Sequence, residues 1–156
     1  MPVIQSVFND DFATGYPGMV ANGETSNRIS RTAENAAGIP FGRACFRGSA
    51  DHFCDLTIGA DFLGISIADH GIPQMTPGQA VDSYPQYHNV GIMERGVIWV
   101  LAGGAFPAPG TQVAVLNADG TFVAGGTAAS TNLPGWRNDT SAVAGQLMLI
   151  SNNRAG

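Results

Sequence analysis

The sequence contains no lysine: its seven basic residues are Arg28, Arg31, Arg43, Arg47, Arg95, Arg137 and Arg154. A Schiff-base lysine and the lysine of a phosphate-binding loop are thereby excluded. Charge of either sign is scarce, at 12% of residues, roughly half the usual share. Twelve acidic residues bring the net charge to −5 and the isoelectric point near 4.8. Scattered guanidinium groups among that many carboxylates build no concentrated positive surface for a phosphate backbone, so nucleic acid is not expected as a partner. Long hydrophobic runs are missing as well. The longest, Val97 to Ala102, falls far short of the ~20 residues that cross a bilayer, and no membrane partner is expected. Two cysteines, Cys45 and Cys54, do not make a disulfide framework; they could pair across a hairpin if oxidised, and buried thiols are the expected reading. Met1 to Asn9 has neither a basic segment nor a sustained apolar run, so the expectation is synthesis and retention in the cytoplasm with both thiols reduced.

What remains is 156 residues with 44% hydrophobic side chains, 21 glycines and 9 prolines. A chain of this length forms one domain that buries about two-thirds of its unfolded surface. The composition suits short strands joined by tight turns and disfavours long exposed helices, which draw on Glu and Lys.

The chain divides by composition. Residues 1–43 are rich in Gly, Asn, Ser, Thr and Ala and carry little hydrophobic periodicity. Gly15-Tyr16-Pro17-Gly18 has the residues of a type II turn. The polar run from Asn22 to Asn35 is too long for an internal loop of a compact domain, and reads as an extended, mostly irregular N-terminal arm. From Ala44 the pattern becomes that of strands: Ala44–Arg47, Phe53–Ile58, Phe62–Ala68, Val90–Met93, Val97–Leu101, Gln112–Leu116, Thr121–Val123 and Gln146–Ile150. Glu94-Arg95-Gly96 reads as a three-residue hairpin loop and Asn117-Ala118-Asp119-Gly120 as a second. Runs 97–101 and 146–150 are apolar on both faces, as inside a sandwich, a barrel or a subunit contact. The expected fold is all-β: a small β-barrel or jelly-roll-like sandwich over residues 44–156, preceded by the arm.

The residues that carry chemistry do not assemble into a known site. Cys45, His52 and Cys54 form a single Cys-x6-His-x-Cys, whereas a structural zinc site needs four ligands in paired short spacings, so no metal is expected. Cys54 with His52, His70 or His88 supplies a nucleophile and a base in type only, with no local motif around the thiol. Ser66, Asp69 and His70 lack the G-x-S-x-G elbow and crowd into five residues. Adjacent Asp10 and Asp11 point to opposite faces of an extended chain. The glycine-rich stretches contain neither G-x-G-x-x-G nor a Walker sequence, and no cofactor is expected. Tyr84, Tyr87, Trp99 and Trp136 offer rings for stacking on a sugar; Trp99, within an apolar run, reads as core, and Trp136, after Leu133-Pro134-Gly135, as the exposed candidate. No enzyme activity is expected.

The order of motifs resembles the structural cement, or capsid decoration, proteins of tailed bacteriophages. The resemblance rests on Gly15-Tyr16-Pro17-Gly18-Met19-Val20-Ala21, Ser30-Arg31-Thr32-Ala33-Glu34 and Ile39-Pro40-Phe41-Gly42-Arg43-Ala44. It continues in Phe62 to Asp69, Val90 to Val100 and Gly145 to Ile150, and so spans nearly the whole chain. Tyr84-Pro85-Gln86-Tyr87 only approximates the family's Y-x-P-G-like turn. The resemblance implies a non-enzymatic virion protein on the outer capsid surface, made in the host cytoplasm, with the major capsid protein as partner. It would clamp neighbouring capsid subunits and stabilise the shell against internal pressure. It also implies a homo-oligomer, a homodimer first and a homotrimer second. Within this reading Phe8, Phe12, Tyr16, Met19 and Val20 are the expected apolar anchors toward capsid or partner subunit, and Arg28 and Arg31 the expected ion-pairing groups. The alternative from another functional class is a receptor- or glycan-binding β-module on the virion surface.

Overall fold

The computed structural model describes residues 15–22, 26–59, 61–72 and 80–152. These residues form twelve strands and no helix, so the chain is all-β, as its composition predicts. Five strands close into a barrel in the order β1 (Asn27–Ala33), β4 (Phe53–Asp55), β3 (Ala44–Arg47), β5 (Phe62–Ser66) and β7 (Asn89–Arg95). All neighbours are antiparallel except β1 and β4. A second, antiparallel sheet has the order β10 (Phe122–Ala124), β9 (Gln112–Leu116), β11 (Ser130–Asn138), β12 (Leu147–Ser151) and β8 (Val97–Leu101). A parallel bridge between Ala102 and Phe122 brings the end of β8 to β10 and curls this sheet towards closure. A short ribbon pairs β2 (Ile39–Pro40) with β6 (Ser83–Tyr84).

Alternation along the strands divides the core in two. Cys45, Cys54, Leu63, Val90 and Ile92 belong to one cluster, joined by Ile29, Ala33, Ile39 and Tyr84. Their strand neighbours Ala44, Phe46, Ile65 and Met93 belong to the other, with Ile98, Val113, Phe122, Trp136, Met148 and Ile150 of the second sheet. One face of β3 and β5 therefore fills the barrel while the opposite face packs on the second sheet. That double burial is why these short strands are apolar on both sides.

Val90–Met93 and Val97–Leu101 do not form a hairpin. β7 pairs with β1 and β5, whereas β8 pairs with β12, so the two are successive halves of one path from barrel to sheet. Gly96 makes the bend, at φ +147°; an added Cβ there would lie 2.7 Å from the Met93 sulfur and 3.0 Å from the Ser26 Cβ. A glycine between two apolar runs suits a kink as well as a turn, and the pairing partners decide between them.

The stretch 1–43 contributes directly to these sheets where it is described. Asn27–Ala33 is β1, which bonds to both β4 and β7 and so closes the barrel. Its polar look has a plain origin: Arg28 and Ser30 face water, while Ile29 and Ala33 pack inward. Residues 18–21 run antiparallel along the free edge of β8, with hydrogen bonds from Gly18 N–H to Trp99 O (2.8 Å), Trp99 N–H to Met19 O (2.9 Å) and Ala21 N–H to Val97 O (3.0 Å).

Candidate contact surface

Turn chemistry places the exposed aromatic residue of this edge segment. Met19 N–H donates to Tyr16 O (3.1 Å), closing the turn, and Gly18 takes φ +82°. Gly18 O then accepts the Ala68 N–H (2.8 Å), so the segment is tied to the β5 side as well as to β8. The approach is tight: a Cβ on Gly42, itself at φ +68°, would sit 2.6 Å from the Gly18 nitrogen. Only glycine fits both that conformation and that distance.

Held there, the Tyr16 ring stands edge-on to His70, with centroids 4.7 Å apart. His70 in turn meets Phe41 edge-on at 5.6 Å, and Phe41 meets Tyr84 at 5.2 Å. Tyr84 is buried; its hydroxyl donates to Ile67 O (2.6 Å), and burial pushes the phenol up to about 12. Above this chain of rings is a hollow of about 210 Å³ lined by Tyr16, Pro17, Pro40, Phe41, His70, Val81 and Asp82. Asp82 lies 3.9 Å from His70. Tyr16 is 42% exposed and Val81 82%, so apolar surface borders the hollow and faces water. A larger, open hollow of about 740 Å³ lies between residues 56–59 and 117–120. Its lining is polar: Asp119 is held below its usual range by the Thr121 N–H and hydroxyl, and Arg43 donates to the Asp119 carbonyl.

The expected contact residues scatter around the first hollow. Phe8 and Phe12 lie outside the described residues. Tyr16 is at the rim. Met19 and Val20 are half-buried in the segment along β8, where Val20 bridges Ile98. Arg28 is exposed and its Nε donates to Ser26 Oγ (2.9 Å). Arg31 turns to the same side of β1 as Ile29 and Ala33; its Nη1 donates to Ser30 O, while its Nε is buried without a partner. Sequence reasoning missed Val81 and weighed His70 only as a possible base, because both flank a proline-bearing connection with no strand pattern to place them at this surface.

The groups with chemical potential are occupied structurally. The Ser66 hydroxyl donates to Pro40 O (2.7 Å) and accepts the Arg43 N–H (2.9 Å), fully buried, while His70 is engaged with Tyr16 and Asp82. Cys45 and Cys54 are buried free thiols, the Cys45 sulfur 3.7 Å from the Arg43 carbonyl oxygen; the neighbouring Cys54 and burial push Cys45 up, while Cys45 draws Cys54 down despite its burial. No cluster of three metal-ligating side chains occurs among the described residues. Trp136 corrects its reading as an exposed ring: it is 0% exposed, in the core between the two sheets, because the Pro134-Gly135 pair lies within β11 rather than in a loop. Trp99 is half-buried at the β8 edge, and Tyr87 is 69% exposed.

Among the described residues the architecture is all-β, with the edge segment 15–22 tied by backbone bonds and an apolar rim bordering the smaller hollow. A family model described as structural cement protein (E217 gp24/Pam3 gp6) matches residues 4–153, and the chain belongs to that family of bacteriophage structural proteins. Among solved structures, a chain of the capsid of Myoviridae phage XM1 superposes with a TM-score of 0.71 at 14% identity, covering 98% of this chain and 99% of that one. At that identity the likeness shows the fold. The head fiber gp8.5 N base of bacteriophage phi29 is also similar, at 17% identity over 81% of this chain and 93% of that one, with a TM-score of 0.45. No curated protein matches the chain. The protein is thus a capsid-associated structural component of a phage virion.

Proposed function

We propose that this protein binds the outer surface of an icosahedral phage head and cements neighbouring major capsid protein subunits, holding the shell against pressure from within. The observation that carries the reading is the apolar rim at Tyr16 and Val81 around the aromatic-floored hollow. Water-facing apolar surface of this kind is stabilised by contact with another protein. A molecule spanning a junction between capsid subunits contributes its binding free energy only while the junction is intact, and so opposes separation by linkage. Many identical weak contacts on a symmetric lattice add through avidity.

In this reading Tyr16 carries the contact, with Phe8, Phe12, Met19 and Val20 as further anchors on the segment 1–43 and Arg28 facing acidic groups; Arg31, expected beside it, turns inward and is left out of the contact. The protein is made in the host cytoplasm and acts without catalysis, cofactor, nucleic acid or membrane. It self-associates, as a homodimer first and a homotrimer second. The glycan-binding alternative has less support, since burial removes Trp136 and Tyr84 from any stacking platform.

The test is co-sedimentation with phage heads stripped of this protein, comparing unexpanded and expanded shells. Saturable binding at a stoichiometry fixed by the lattice is expected, and Tyr16→Ser should weaken it about tenfold, the effect of losing roughly 1.4 kcal/mol at an apolar hot spot. Absence of binding to either shell would overturn the reading.

A further inference from the structure

We propose that Cys45 and Cys54 form a peroxide-sensitive thiol pair inside the barrel, closing to an intramolecular disulfide that ties β3 to β4 when the protein meets an oxidising environment. Arg47 pairs with Cys54 in the antiparallel β3–β4 ladder, and Cys45 lies two residues before Arg47, so the two cysteines are diagonal neighbours on one face. Diagonal neighbours on a flat sheet stand about 7 Å apart at Cα, at the upper limit for a disulfide. This face is the inner surface of a closed five-stranded barrel, where curvature brings inward side chains together. The Cys45 sulfur lies 3.7 Å from the Arg43 carbonyl oxygen, and the two thiols are near enough to shift each other's acidity.

A second observation gives the pair polarity. Ala33 of β1 pairs with Cys54, and Arg31 lies two residues earlier on the same inward face. Its Nε is buried with no hydrogen-bond partner. The neighbouring Cys45 thiol favours the Cys54 thiolate, the nucleophilic form of the group, and the Arg31 charge favours it to a lesser degree, against burial and the carboxylates of Asp55 and Glu34. Cys54 is therefore the attacking sulfur and Cys45 the resolving one. Access comes through β4, a three-residue strand that pairs with β1 at Thr32 and Ala33 and with β3 at Phe46 and Arg47, with Glu34 N–H to Cys54 O (2.9 Å) and Gly48 N–H to Phe53 O (3.1 Å) extending the two ladders. Such a short stave opens locally at lower free energy than the rest of the barrel.

The chemistry balances with a hydroperoxide as oxidant. The Cys54 thiolate attacks one oxygen of hydrogen peroxide, the O–O bond breaks, hydroxide leaves, and Cys54 becomes the sulfenic acid. The Cys45 sulfur then attacks the Cys54 sulfur, the S–O bond breaks, and the sulfenic oxygen leaves as water with the thiol proton. Two thiols are oxidised and one peroxide is reduced.

The experiment uses the full folded chain. After hydrogen peroxide treatment the protein is denatured, alkylated with iodoacetamide and digested with trypsin. Cleavage after Arg43 and Arg47 leaves Cys45 on the peptide Ala44–Arg47 and Cys54 on a separate peptide ending at Arg95. The expected result is these two peptides joined by a disulfide that dithiothreitol releases, with alkylation of both cysteines lost. In Cys45→Ser, Cys54 should instead trap one dimedone, the mark of its sulfenic acid. Full alkylation of both cysteines in the treated wild-type chain overturns the proposal. So does sulfinic acid on Cys54 with Cys45 still alkylated, or a disulfide formed only between chains.

Discussion

Three polar groups of the backbone depend on one side chain in the second sheet. The buried Asn138 accepts the Thr111 N–H through Oδ1 (2.7 Å) and donates through Nδ2 to Ala108 O (3.0 Å) and Thr140 O (3.0 Å). Asn138→Leu removes all three bonds and leaves Thr111 N–H and Thr140 O without them, while Ala108 O keeps the Thr111 hydroxyl (2.9 Å), at a cost of about 1–3 kcal/mol. A urea titration followed by tryptophan fluorescence should show the midpoint falling with its slope unchanged. Tyr84 supplies the clearest pH signature. Burial raises its phenol from 10 to about 12, so the folded state holds a proton that the unfolded state releases first. Its contribution is complete below pH 10 and is lost as pH rises towards 12, with an upper bound of about 2.7 kcal/mol. Thermal melts should therefore fall across that window, and Tyr84→Phe should remove most of this component of the fall.

At the level of elements, β1 and the segment 15–22 explain both the success and the limit of reading the sequence. The apolar strands β3, β5, β8, β9 and β12 and the β9–β10 turn were legible because alternation or double burial leaves a hydrophobic signature in a few residues. β1 left almost none: Asn27-Arg28-Ile29-Ser30-Arg31-Thr32-Ala33 shows water one face and turns Arg31 inward on the other. Nor was the β7–β8 kink legible, since both pairing partners of these strands are distant in sequence. At the candidate surface, the Tyr-Pro-Gly turn announced Tyr16, but Val81 and His70 join it only through the tertiary fold. Removing residues 1–43 tests the role of β1 as a barrel stave. The truncated chain should lose cooperative unfolding, because β4 and β7 each lose a hydrogen-bonded partner, whereas removal of an independent arm would leave the melt intact. Gly42→Ala probes the close crossing of residues 15–22 alone. Strain at φ +68° and collision with the Gly18 nitrogen should cost about 2–4 kcal/mol, read as a lower thermal midpoint with the β-sheet circular dichroism retained at low temperature.

For the molecule as a whole, the charge economy of the sequence and the apolar rim lead to the same expectation about attachment to a shell. With seven arginines, no lysine and a net charge of −5, this protein has little positive charge to place against a partner. Arg43 and Arg47 are already engaged with Asp119 O and with Asp61 (2.8 Å). Contacts between exposed charges are screened beyond about 8 Å at physiological ionic strength and weaken further as salt rises. Burial of Tyr16 and Val81 behaves in the opposite way, since salts excluded from protein surfaces strengthen it. Binding to expanded heads should therefore lose less than about tenfold between 0.1 and 1 M sodium chloride, a change of under ~1.4 kcal/mol, and should tighten in sodium sulfate. Arg28→Ala should leave that profile nearly unchanged, whereas Tyr16→Ser should lower affinity at every salt concentration. A steep loss in sodium chloride, abolished by Arg28→Ala, would instead move the contact from the aromatic rim to the exposed face of β1.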